Sequence, residues 1–162
     1  MLIKTILGQE VDLYTASVIE LTVFILPALK AAKEDFKYHS VSGELYLTVF
    51  IFLCLDSIYF CNLVGIIAGV ILGIVSYGPW EPECFGSADW ILLAYPVCFF
   101  CKIPWRVELV SIGFYSLAVG ISVWLVANRI IYKGKPGRYI AALPALPICD
   151  IIGIAMIQLV CG

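Results

Sequence analysis

Charge is scarce in this sequence. Only 14% of its 162 residues are Asp, Glu, Lys or Arg, while 62% are hydrophobic; an ordinary soluble domain carries about 25% charged residues. Water solvates such a surface poorly, which excludes a soluble globule and leaves lipid as the surrounding solvent. Mean hydropathy is +1.02. The formal net charge of −2 offers no basic face, so no nucleic-acid partner is expected. Histidine is nearly missing as well. His39 stands alone, and it reads as a loop residue. The paired ligand sets of a zinc site are also lacking, so no metal is expected. Cysteine is not scarce, but most of the seven lie inside apolar runs, where cysteine behaves as a small hydrophobe. Cys98 and Cys101 have CxxC spacing yet sit among aromatics, so they too read as core.

Long apolar runs are what the chain has in plenty. A helical span needs about 20 apolar residues. The first run follows Lys4, Glu10 and Asp12; its flank is acidic and it is too long for the core of a cleavable leader. It reads as a retained span over 13–32, followed by a charged loop from Lys30 to Glu44. Leu45–Trp80 is apolar apart from Asp56, too long for one span and just long enough for two short ones. These fall at 45–60 and 63–78, with a tight turn near Cys61-Asn62. The Gly- and Pro-containing segment 78–88 is a loop. Further spans are expected over 89–103, 109–128 and 139–161, the last interrupted by Pro144 and Pro147. The fold class is therefore all-α: one polytopic membrane domain over 1–162 with about six transmembrane helices. In the third span Gly65, Gly69 and Gly73 recur every fourth residue, a face on which a neighbouring helix can pack closely.

Lys and Arg placement sets orientation. Lys30, Lys33 and Lys37 follow the first span; Arg129, Lys133, Lys135 and Arg138 follow the fifth. Six spans put both loops on one side, which should be cytoplasmic in a multi-pass plasma membrane protein, with the N- and C-termini outside. Lys102 and Arg106 fall in an outer loop and weaken this bias without reversing it.

Acids in or beside a membrane are costly and usually have a task. Glu20, Asp56 and Asp150 fall within spans, and they support one reading: a non-enzymatic protein, a small transporter or assembly subunit, with an acidic proton or cation path. Asp35 follows the first span and Asp89 opens the fourth. Two crossings separate them, so both lie at one shallow depth on the cytoplasmic side. Taken alone they are boundary charges, with Asp89 an N-cap favoured by the helix dipole. As a pair they could share a proton, one acting as general base on a water and the other donating to the carbonyl oxygen of a scissile peptide.

Local sequence bears on that choice. Gly86-Ser87-Ala88-Asp89 resembles the GxGD signature of membrane aspartic proteases, with Ala88 as the hydrophobic residue found before the Asp in archaeal forms. Asp35-Phe36-Lys37-Tyr38-His39-Ser40-Val41 is similar to the Asp-hydrophobic-basic stretch after the first span of type IV prepilin and preflagellin peptidases. Lys135-Pro136-Gly137-Arg138, running on to Pro144, is similar to that family's proline-containing entry to its last span. The resemblance covers about 14–162 and is to the short, archaeal-like form without a methyltransferase domain. It departs at Ser42-Gly43, where the family often has Pro-Asn, and at Ile91, where bacterial members often have Lys.

The resemblance implies an aspartic endopeptidase with Asp35 and Asp89 as catalytic residues and no cofactor. Its substrates would be prepilin-like or preflagellin-like precursors, which lose a short basic leader at the cytoplasmic membrane surface. Glu81 and Glu83, in the loop before Asp89, are candidates for attracting the leader's basic residues. Gly78 and Gly86 could let that loop bend.

Overall fold

A computed structural model describes residues 2–38, 41–77, 89–102, 106–131 and 141–161. Apart from a short hairpin at the start and the turns between helices, the described residues are helical. Strand β1 (Leu2–Lys4) pairs antiparallel with β2 (Glu10–Asp12). Six helices follow among the described residues: α1 (Leu13–Tyr38), α2 (Gly43–Tyr59), α3 (Leu63–Tyr77), α4 (Asp89–Phe100), α5 (Val107–Ile131) and α6 (Ala145–Cys161). By length and composition α1 and α5, at 26 and 25 residues, can each cross a membrane. The outside of the bundle is apolar as well as the inside. Leu26 on α1, Leu55 on α2, Val70 on α3, Val126 and Ile130 on α5, and Leu159 on α6 are all exposed. Exposed apolar surface on this scale marks contact with something other than water.

Helix ends follow local chemistry. Asp12 caps α1, its Oδ2 accepting from the Thr15 amide at 3.1 Å and the Thr15 hydroxyl at 3.0 Å. The expected loop from Lys30 to Glu44 is mostly helix instead. Residues 30–38 are good helix formers, and Ala28, Ala31, Ala32 and Asp35 continue the buried stripe past the apolar run. Between α2 and α3, Cys61 adopts φ 52°, and Asn62 makes the turn. Its Oδ1 accepts from the Gly65 amide at 2.9 Å, capping α3, while its Nδ2 donates to the Val97 and Cys98 carbonyls at 3.1 and 2.9 Å. One side chain thus satisfies orphan groups at the start of α3 and near the end of α4. α5 outruns the expected 109–128 at both ends, with Glu108 in its first turn and Arg129 in its last, each on the side the helix dipole favours. α6 starts later than expected. Leu143 precedes Pro144 and is steered out of helical backbone, whereas Pro147 falls in the first turn, where its missing N–H costs nothing.

Ring contacts fix the packing. Phe24 of α1 lies 6.2 Å from Tyr95 and 4.9 Å from Phe99 of α4, and Phe99 is completely buried. Gly65 and Gly69 sit against α2, where an added Cβ would meet the Ser57 hydroxyl or, at 3.0 Å, the Cys54 sulfur. The surroundings of Gly73 are not among the described features. A close backbone approach lies elsewhere: a Cβ on Gly120 of α5 would lie 3.1 Å from the Cys149 amide nitrogen of α6. Gly120→Ala should therefore push α5 from α6 and cost about 1–3 kcal/mol. Gly43→Ala, which meets nothing, should be neutral. Thermal unfolding in detergent compares the two.

Candidate functional site

The bundle has two distinct ends. At one, the hairpin meets α2 through the Ile6 amide on the Tyr59 carbonyl, 2.8 Å, and Lys102 beyond α4 meets Glu20 of α1. At the other, the Ser42 amide donates to Glu34 at 3.0 Å, closing the α1–α2 connection, and Phe36 lies edge-on to Trp124 of α5 at 5.9 Å. Lys30, Lys33, Lys37 and Arg129 cluster toward this second end, named the basic end for them. Lys37 sits in the last turn of α1 with its Nζ 4.7 Å from the Tyr38 ring centre.

Asp35 is at the basic end, on the last turns of α1 rather than in a loop. It is buried, 7% exposed, and its Oδ2 accepts a hydrogen bond from the Leu143 amide at 2.9 Å. That amide belongs to the turn that opens α6. The same turn is pinned from α5, because the Trp124 indole N–H donates to the Ala141 carbonyl at 2.6 Å. Asp89 is the first residue of α4. Its backbone is described and its side chain is not. Its level follows from the contact of Phe24 with Phe99. At ~1.5 Å per helical residue, Asp35 lies about 16 Å above Phe24 along α1, and Asp89 about 15 Å above Phe99 along α4. The Phe24 contacts with Tyr95 and Phe99, taken with that of Lys102 with Glu20, show that α1 and α4 run antiparallel. The Asp89 backbone therefore comes to the level of Asp35 at the basic end. Glu81, Glu83, Gly86 and Ala88, with Gly78 and His39, lie outside the described residues.

The other acids separate into two places. Glu20 and Asp56 come together at the hairpin end. Lys102 bonds to Glu20 and lies 3.7 Å from Asp56, and its ammonium stands 4.1 Å from the Phe60 ring centre. This corrects the expectation for Lys102, whose side chain is wholly buried instead of lying in an outer loop. The reason is electrostatic: two acids carried within the bundle require a cation, and Lys102 is within reach. Beside them an apolar groove of about 640 Å³ runs along α1 and α2 beneath the hairpin, lined by Val11, Ile19, Phe52, Leu55 and Ile58. Asp150 lies elsewhere, fully buried in α6 with its carboxyl against the Tyr95 hydroxyl. The three acids thus form no single path. The Cys98 thiol is free and buried, 3.9 Å from the Gly65 carbonyl. Among the described residues no group of three His, Cys, Asp or Glu could hold a metal ion.

Sequence reasoning missed two groups here, the Leu143 amide and Lys102. Nothing in a sequence marks a backbone amide as a side chain's partner. The signal for Lys102 was present, in the two intramembrane acids that lacked a cation. No protein-family model, curated protein or solved structure matches the chain.

Proposed function

We propose that this chain is a six-span membrane aspartic endopeptidase. It removes the short basic leader from prepilin-like or preflagellin-like precursors at the cytoplasmic face of the plasma membrane. One observation carries the reading: a buried carboxyl, Asp35, stands at the same level of the bundle as the N-terminus of α4, where Asp89 begins the helix. Acids at one level, on neighbouring antiparallel helices, suit a dyad in which one carboxyl activates water and the other protonates the peptide carbonyl. The lysines around Asp35 support a cytoplasmic location for that end under the positive-inside rule, with the hairpin outward. A leader-bearing precursor offers its cleavage site at that surface, where its membrane helix begins. The pairing of Glu20 and Asp56 with Lys102 gives those acids a structural role and weighs against a transport path through all three.

Co-expression with a prepilin-like precursor tests the reading, with leader loss read as a mobility shift on a gel. Failure to cleave any precursor of this type, with the protease folded and inserted, would contradict it. The leader is basic, so Glu81 and Glu83 should attract it. Reversing both to Lys is expected to raise KM several-fold and leave kcat near wild type; unchanged kinetics would remove these two residues from substrate binding.

A further inference from the structure

We infer that the Leu143 amide, presented by the entry turn of α6, is the positioning group for Asp35; the inference rests on the peptidase reading above. The first turn of a helix carries amides without intrahelical partners. In α6 two of these positions are proline, Pro144 and Pro147, and have no N–H to give. The Ala145 and Leu146 amides turn back to the Ala142 and Leu143 carbonyls at 3.0 and 2.9 Å. The Leu143 amide is directed elsewhere, onto Asp35 Oδ2 at 2.9 Å, across 108 positions of sequence. Asp35 thus acts as an N-terminal cap from another helix, at the end where the α6 dipole favours an acid.

The turn cannot easily drift. Its Ala141 carbonyl is held by Trp124, whose ring also packs on Phe36, the residue after Asp35. Leu143 itself is fully buried. The donor is therefore a rigid backbone group tied to α1, α5 and α6 at once, and it fixes one carboxyl oxygen as an acceptor. Misplacing a catalytic group by about 1 Å can cost about 100-fold in rate, so losing this anchor should act on turnover and spare substrate binding.

The test replaces Leu143 by its α-hydroxy analogue in the full-length protein, so that an ester oxygen stands where the N–H was and the side chain is unchanged. kcat for precursor cleavage is expected to fall by about 10- to 100-fold with KM unchanged. Ile157→Ala, which trims a comparably buried side chain of α6 away from the entry turn, is expected to lower the unfolding temperature and retain kcat in the folded fraction. An ester variant that turns over at the wild-type rate would overturn the inference, as would equal loss of kcat in Ile157→Ala. A wild-type protein that cleaves no precursor would instead reject the peptidase reading beneath it.

Discussion

Asp35→Asn and Asp89→Asn are each expected to abolish precursor cleavage, with kcat falling by about 10²–10⁴-fold or to background. Asn keeps the size and much of the hydrogen bonding of Asp, so the fold should survive. It cannot accept the water's proton or deliver one to a peptide carbonyl. The double variant should be no worse than either single one, because the two carboxyls act as one unit. Asp56→Asn and Asp150→Asn should leave cleavage measurable. Asp56 sits at the hairpin end with Lys102, and Asp150 is sealed beside Tyr95. Initial rates on a purified precursor in detergent, at matched amounts of folded protease, give the comparison. If the mid-bundle acids prove essential and Asp35 dispensable, the dyad is wrong.

Lys102→Met is expected to have the largest effect on stability. Met fills a similar volume, so packing is largely kept. The substitution removes the cation shared by Glu20 and Asp56 and leaves their charge buried without compensation. Breaking a buried pair in this way costs about 3–5 kcal/mol. Adding Glu20→Gln to Lys102→Met should recover part of the loss by removing one of the stranded acids. The loss would appear as a lower unfolding temperature and a lower yield of inserted protein. A Lys in an outer solvated loop, as the sequence alone implied, would change stability by no more than about 0.5 kcal/mol. The two outcomes are therefore well separated.

The apolar stretches and their punctuation were legible in the sequence. The turn at Cys61-Asn62 and the start of a helix at Leu63 could be read because Asn62 interrupts a run too long for one helix. The end of α1 was not legible. A hydropathy reading stops at the first lysines, whereas the backbone keeps its helix for as long as the residues are good helix formers and the buried face continues. Ala31, Ala32 and Asp35 hold that face. This difference matters for the site, because it sets Asp35 on a rigid helix facing α6 instead of on a loop.

The start of α6 shows a similar limit. Pro144 marked an interruption, but only the fold reveals that it frees the preceding turn to present the Leu143 amide to Asp35. The hairpin was missed because β1 and β2 are three residues each and carry no alternating pattern long enough to read. Lys102 was misread because counting charges by loop ignores where a long side chain reaches. In each case the missing information was a contact between distant parts of the chain.

The account depends most on the nearness of residues 35 and 89. A chain with its seven native cysteines replaced by Ser or Ala, carrying Asp35→Cys and Asp89→Cys, should be joined by a short thiol-specific cross-linker in native membranes. Cleavage between α1 and α4 would then leave the two halves linked on a denaturing gel. Linkage is the predicted result, with Asp56→Cys paired to Asp89→Cys remaining unlinked as the control. Halves that separate freely after treatment of the 35–89 pair, in protein shown to be folded, would contradict the dyad.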